Sequence, residues 1–308
     1  MPIQKSALNN QSPLKLCRKE VLTIQNILAE NWGIKAIRSS AEWDSELKKL
    51  PEDVLHTYYA LNDDQADFLQ RKKKIPKELE HRWYEFLGTQ PIAGIVHSRK
   101  YPFILDSAVF VVAICRALGF RGRILDIGCH LGYHLDVYAR LLEMEAVGVD
   151  MSSSAINTGK TIFGADRQIT LIQGDVEEME LPKAQVITCI DAFPKDRVSL
   201  TILLTKLKNS IGDDGIIVLG GDVLELAKGD IAKACNHVGL GLLAHDVTGG
   251  WVGPLDLFDN RLLLALAKIN SPVPRDLFLD WGDFKFYANA TSTPWNEKTQ
   301  AFFRSVHT

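Results

Sequence analysis

The stretch Arg123-Ile-Leu-Asp-Ile-Gly-Cys-His-Leu-Gly-Tyr-His134 decides the fold. Its apolar head reads as a β-strand running into Asp126, and its middle as a loop turned by Gly128 and Gly132. Its tail opens a helix with Leu135, Tyr138, Ala139, Leu141 and Leu142 on the apolar positions. Strand, glycine turn and helix in that order build a nucleotide-type pocket at the carboxyl end of a parallel sheet. What is missing narrows the ligand. A dinucleotide reader carries Gly-x-Gly-x-x-Gly, and a P-loop carries Lys-Ser/Thr after its last glycine. Here His130 stands at the second glycine position and no lysine follows Gly132. Asp126, placed at the mouth of the loop, would repel a pyrophosphate and suit a cationic group. Asp150 closes the strand Ala146-Val-Gly-Val-Asp150, where an acid accepts hydrogen bonds from ribose hydroxyls. The expected ligand has a ribose and a positively charged end, and needs no diphosphate.

Outward from this stretch, strands and helices alternate. Strands are expected at 123–127, 146–150, 169–173, 186–190 and 215–219, with helices at 133–143, 153–163, 198–209 and 223–237. Ser152 is a suitable N-cap for the second of these helices. Such alternation predicts a doubly wound parallel sheet. The rhythm then changes: 239–246 and 261–268 read as two strands with no helix between them. Upstream, 14–33 reads as an amphipathic helix and 51–75 and 77–87 as two more, broken at Pro76. Residues 88–104 read as a connector, followed by an apolar helix over 103–118. The predicted organisation is an N-terminal helical cap over 1–100, a core over 101–268 and an aromatic-rich extension over 269–308. Residues 1–13 are expected to be a loose arm, and Arg71-Lys-Lys-Lys74 a solvated face.

Five segments in order resemble the motifs of the class I S-adenosylmethionine (SAM)-dependent methyltransferases, across roughly residues 105–268. They are Asp126-Ile-Gly-Cys-His-Leu-Gly132, Asp150, Gln173-Gly-Asp175-Val176, Cys189-Ile-Asp-Ala-Phe-Pro194 and Ile211-Gly-Asp-Asp-Gly-Ile-Ile-Val-Leu219. The resemblance implies an α/β fold: a Rossmann-like, seven-stranded, mostly parallel sheet with helices on both faces, here with an added N-terminal helical region. It implies SAM as cofactor and S-adenosylhomocysteine as product. It assigns cofactor binding to Asp126, Gly128, Cys129, His130, Gly132, Asp150, Met151, Asp175, Val176 and Asp191. In this scheme Asp175 reads the adenine amine, the Val176 amide reads the ring, and Asp191 lines the methionine end. His130 is the departure from the family pattern.

Methyl transfer from a sulfonium needs the nucleophile aligned and dry, and an oxygen nucleophile also needs its proton removed. His97 in the connector, His245 near a strand end and Asp191 are the catalytic candidates; His130 and His134 lie nearby. Asp191 and Asp222 at adjacent strand ends are similar to the acids of metal-dependent catechol-type O-methyltransferases. Gly221 stands where that group has a further acid, so Mg²⁺ is not favoured and no metal ligand is assigned. Trp251 is a candidate wall for a planar acceptor. The expected reaction moves a methyl group to an O or N atom of a small organic molecule. The alternatives are the metal-dependent form or a SAM-binding protein without turnover.

Composition agrees with these expectations. A net charge of −3 and a pI near 6.3 argue against a general nucleic-acid binder, and no Asn/Asp-Pro-Pro-Tyr follows the fourth strand. Expected partners are a small-molecule acceptor and at most a second copy of the chain, as a homodimer. Five scattered cysteines without CxxC spacing suggest neither disulfides nor zinc. With no membrane-spanning segment expected and no signal-peptide pattern, a cytoplasmic protein is the simplest reading.

Overall fold

A computed structural model describes residues 16–281, apart from 38, 71–75, 90, 165–167, 193–198, 223–230, 253–256 and 274–277. Its centre is a seven-stranded sheet made of β1 (Arg123–Ile127), β2 (Glu145–Asp150), β3 (Ile169–Gln173), β4 (Ala184–Ile190), β5 (Ile211–Asp222), β6 (Leu240–Val252) and β7 (Leu257–Lys268). The order across the sheet is β3-β2-β1-β4-β5-β7-β6. The first five strands pair in parallel, and β7 pairs antiparallel to both β5 and β6. The chain starts at β1, works outward to β3, and then crosses back to β4 on the other side of β1. That reversal opens a crevice beyond the carboxyl ends of β1 and β4, where ligands bind in open α/β sheets.

Side chains alternate between the two faces of the sheet. Ile124, Ala146, Val186 and Ile216 join a core with α1 (Arg18–Trp32), α6 (Tyr101–Leu118), α7 (Tyr133–Leu142) and α8 (Ser153–Phe163). Their neighbours Leu125, Val147, Ile187 and Ile217 join the opposite core with α9 (Leu200–Ser210) and α10 (Ile231–Val238). Strands covered on both faces read as continuous apolar runs, as these do.

The N-terminal region has a small core of its own. Trp43 and Leu47 of α2 (Ser40–Leu47) and Tyr58 of α3 (Glu52–Gln70) pack with Leu87 of α4 (Lys77–Leu87) and Ile92 of α5 (Ile92–Ser98). This revises the sequence reading at several points. α2 was not expected; an eight-residue helix with two apolar anchors carries little periodic signal, although Ser39 caps it through Glu42 N. The expected connector holds α5 and the first turn of α6. Pro91 and Gly94 suggested a loop, yet Pro91 stands at the N-cap and Gly94 packs against Gly33, where a side chain would not fit. α6 is long and apolar enough to cross a membrane, contrary to expectation, but 72% of it is buried inside the fold. Strands β5, β6 and β7 all run longer than expected. The basic run 71–74, the N-terminal arm, residues 223–230 of the expected helix and most of the aromatic extension lie outside the described residues. The described part of that extension reaches the sheet where Leu279 N donates to Leu242 O at 2.7 Å.

Candidate active site

The loop after β1 is shaped by backbone constraints. Gly128 (φ 70°) and Gly132 (φ 94°) take left-handed conformations. A Cβ on Gly128 would meet Ala192 after β4, and one on Gly132 would sit 2.8 Å from the Phe163 ring. His130 is left-handed too (φ 52°), an unusual setting for a side chain with a Cβ. Its amide donates to Asp150 Oδ2 at 2.8 Å, and Ser152 N donates to Asp150 Oδ1 at 2.8 Å. These bonds tie the β1 loop to the end of β2. Each carboxylate oxygen keeps a lone pair for a ribose hydroxyl. Burial pushes the Asp150 carboxyl up, with the Ser152 and His130 amides opposing.

The cleft at these strand ends is lined by Gly128, His130, Asp150, Met151, Asp175, Val176, Asp191 and His97, all expected site residues. Asp175, Asp150, Gly128 and Asp191 follow β3, β2, β1 and β4, which are neighbours in that order. Three strand spacings span about 14 Å, room for a nucleoside with an amino-acid tail laid across the strand ends. Asp175, expected to read the adenine amine, accepts from Glu177 N on Oδ1 at 2.9 Å and pairs with Lys77 on Oδ2 at 2.7 Å.

Three expected cofactor residues lie outside the lining. Asp126 is 3% exposed and bonds Thr188 Oγ1, its register partner on β4, at 2.5 Å. Burial lifts its carboxyl to about 7, so it is a supporting group beneath the loop and not a charge at its mouth. Cys129 is buried against Gly148, and Gly132 faces Phe163 at the start of α7. His245 is also outside the lining. It sits on the edge strand β6, opposite Leu264 in the β6–β7 ladder and two strands from β5. Trp251 and Asp222 have side chains outside the described set.

Asp191 (φ 54°) joins two cations: Lys100 Nζ on Oδ2 and Arg261 Nη1 on Oδ1. The Arg261 guanidinium also lies 5.6 Å from the Phe103 ring centroid. A carboxylate neutralised in this way is a poor ligand for Mg²⁺, and the expected Asp191–Asp222 pairing loses its first member. His97 Nε2 lies 3.1 Å from His130 Nδ1, with Tyr133 packed against the His97 ring. Burial pushes His97 well below the ordinary histidine range; the neighbouring His130 and Lys100 add to this, and Asp191 opposes it. His134 also lines the cleft, its Nε2 3.2 Å from both Ser107 Oγ and Ile104 O.

The N-terminal helices contribute residues the sequence reading missed. Glu80 and Tyr84 of α4 line the cleft, as do Lys100 and Phe103 around the start of α6. Nothing in α4 alone singles these out, because its approach to the cleft is set by packing against α8. Glu85 reaches the first turn of α8, accepting from Ser153 N at 2.5 Å and Ser154 N at 3.0 Å.

A Rossmann-like sheet of this order, with a glycine loop after β1 and a ribose-placed acid closing β2, defines the class I SAM-dependent methyltransferase architecture. Residues 124–208 match the family model described as a methyltransferase domain. No curated protein matches the chain in sequence. Similar solved structures include a SAM-dependent methyltransferase from Clostridium acetobutylicum, 13% identical over 52% of this chain and 90% of that one, with a TM-score of 0.44. Another, from Geobacter sulfurreducens in complex with S-adenosylhomocysteine, is 17% identical over 53% and 90%, at 0.41. A TehB-like enzyme from Corynebacterium glutamicum is 19% identical over 51% and 86%, also at 0.41. The residues present fit SAM. Asp150 offers two oriented acceptors beside the glycine loop, where Gly128 lets the backbone pack closely on Ala192.

Proposed function

We propose that the protein methylates an O or N atom of a small organic acceptor, with oxygen preferred, and that α4 and α5 form part of the acceptor's cover. The observation that carries this reading is the position of His97. It stands at the Asp191 end of the cleft, neutral at physiological pH, beside Phe103 and Tyr133. SAM supplies, when bound, a methyl group whose bond to sulfur breaks with the electron pair passing to sulfur. The chain's residues do the rest. Asp150 holds the ribose, Lys100 and Arg261 keep Asp191 fixed, and the aromatic walls exclude water. His97 takes the proton from the acceptor's hydroxyl or ammonium, and the lone pair so released attacks the methyl carbon. The histidinium then returns its proton to water. An acceptor of modest size and planar shape suits this recess, and the net charge of −3 speaks against a nucleic acid.

Calorimetric titration with S-adenosylhomocysteine tests the cofactor half. Micromolar binding is expected in the wild type. Asp150→Ala, which loses two hydrogen bonds to a charged group at about 1.5 kcal/mol or more each, should weaken it at least about 100-fold. An acceptor screen read by S-adenosylhomocysteine release then tests turnover. Binding without turnover on any acceptor would leave a SAM-binding protein and end the enzyme reading.

A further inference from the structure

We infer that His130, the residue in the glycine loop's second glycine position, is a positioning residue that sets the tautomer of His97 and so makes it a base. The inference deepens the reading above and rests on it. The two rings meet edge to face, with centroids 4.7 Å apart and planes at 85°, and share one hydrogen between His97 Nε2 and His130 Nδ1. That hydrogen has two possible owners. If His130 donates it, the His97 Nε2 lone pair is consumed and His97 Nδ1 carries a hydrogen, so His97 has no free basic atom. If His97 donates it, His97 Nδ1 is bare and can receive a proton. The second arrangement puts both rings in the Nε2–H form, the tautomer that free imidazole side chains prefer in water. It also gives the histidinium formed during turnover an acceptor at Nε2, as the buried carboxylate does in a catalytic triad.

His130 is fitted for this role. It is 4% exposed, its backbone amide is held by the hydrogen bond to Asp150, and burial keeps its ring neutral, so one ring nitrogen is always free to accept. Its other ring nitrogen, Nε2, is buried without a hydrogen-bond partner. A left-handed backbone and an unpaired ring nitrogen are both costs, which glycine at this position would avoid. The contact with His97 is what the imidazole gains in exchange. The other titratable groups around His97 include Lys100, Asp191, His134 and Tyr133, whose ring packs on His97 with centroids 5.2 Å apart.

The test is ¹⁵N-histidine NMR of the full chain, without acceptor, with His97→Gln assigning the His97 signals. The wild type should show His97 with hydrogen on Nε2 and a bare Nδ1. His130→Asn, whose side-chain oxygen falls near the Nδ1 position, should keep that tautomer. His130→Gly should give a mixture of both. A His97 ring carrying its hydrogen on Nδ1 in the wild type would overturn the inference, as would a tautomer unchanged in His130→Gly. S-adenosylhomocysteine titration of the same samples separates the two readings, because lost cofactor binding sinks the proposed function and leaves the tautomer measurement standing. With an acceptor in hand, His130→Gly should lower kcat about 10- to 100-fold, the usual cost of removing a group that orients a reacting residue, and His130→Asn should restore most of it. Equal loss in both variants would count against the role.

Discussion

His97 shows how much one residue's chemistry depends on its neighbours. The sequence offers His97 as a candidate base from its place in the connector, two residues before Arg99 and Lys100, but names no partner for it. In the fold it meets His130, Tyr133 and the cleft wall at once. His97→Gln should lower kcat by about 10²- to 10⁴-fold, the range for a lost general base, and leave S-adenosylhomocysteine affinity nearly unchanged. The pH profile carries a second expectation. Because burial pushes His97 well below 6.5, it stays deprotonated across the neutral range. The rate of the wild type should therefore show no acid limb between pH 8 and 6.5; a half-maximal rate near 6.5 would contradict the assignment. The position of Asp150 was legible from sequence because it depends only on where an apolar strand ends. Asp126 was not read correctly, because its partner Thr188 lies on β4, which becomes a neighbour of β1 only after the chain crosses back.

At the scale of elements, the clasp between α4 and α8 fixes how the N-terminal region meets the cleft. Glu85 acts as a carboxylate at a helix N-terminus, supported by Ser152 Oγ donating to Tyr84 O at 3.2 Å and Thr158 Oγ1 donating to Gly88 O at 2.7 Å. Glu85→Ala should cost about 1–2 kcal/mol, lowering Tm by about 2–6 °C in thermal denaturation at pH 7. Burial raises the Glu85 carboxyl, but the hydrogen bonds from Ser154 and Ser153 outweigh it and leave it below the ordinary glutamate range. Its contribution is thus fully present above about pH 4.3 and fades as pH falls through the lower folded-state value. The Tm gap between wild type and variant should narrow in that acid range; a constant gap would assign the loss to packing. The βα alternation was legible because each strand is an apolar run and each helix a 3.6-residue pattern. The short helices α2 and α5 were not, since their stability comes from the shared core of Trp43, Tyr58 and Ile92 and not from a pattern within either one.

The whole molecule carries a pH response that follows from placing three neutral histidines beside the cleft. His130 is pushed by burial to about 3 and His134 to about 4, with His97 also well below its ordinary value. In the unfolded chain each takes up a proton as pH falls below about 6.5, while the folded chain keeps them neutral. Their combined contribution is fully present above 6.5 and is lost as pH falls toward the folded values. Asp126 works the other way. Lifted to about 7, it binds a proton in the folded chain between pH 7 and 4 that the unfolded chain lacks, and the raised Asp150 adds in the same sense. Three protons gained by the unfolded state against one or two by the folded state leave a net uptake of one to two on unfolding. Stability should therefore fall as pH drops from 6 to 4.5. Denaturant midpoints across that range measure the slope. His134→Gln, with an uncharged side chain in place of one histidine, should reduce it by about 1.4 kcal/mol per unit even if the variant is less stable overall. A slope unchanged by that substitution would show that the acid sensitivity comes from groups elsewhere in the chain.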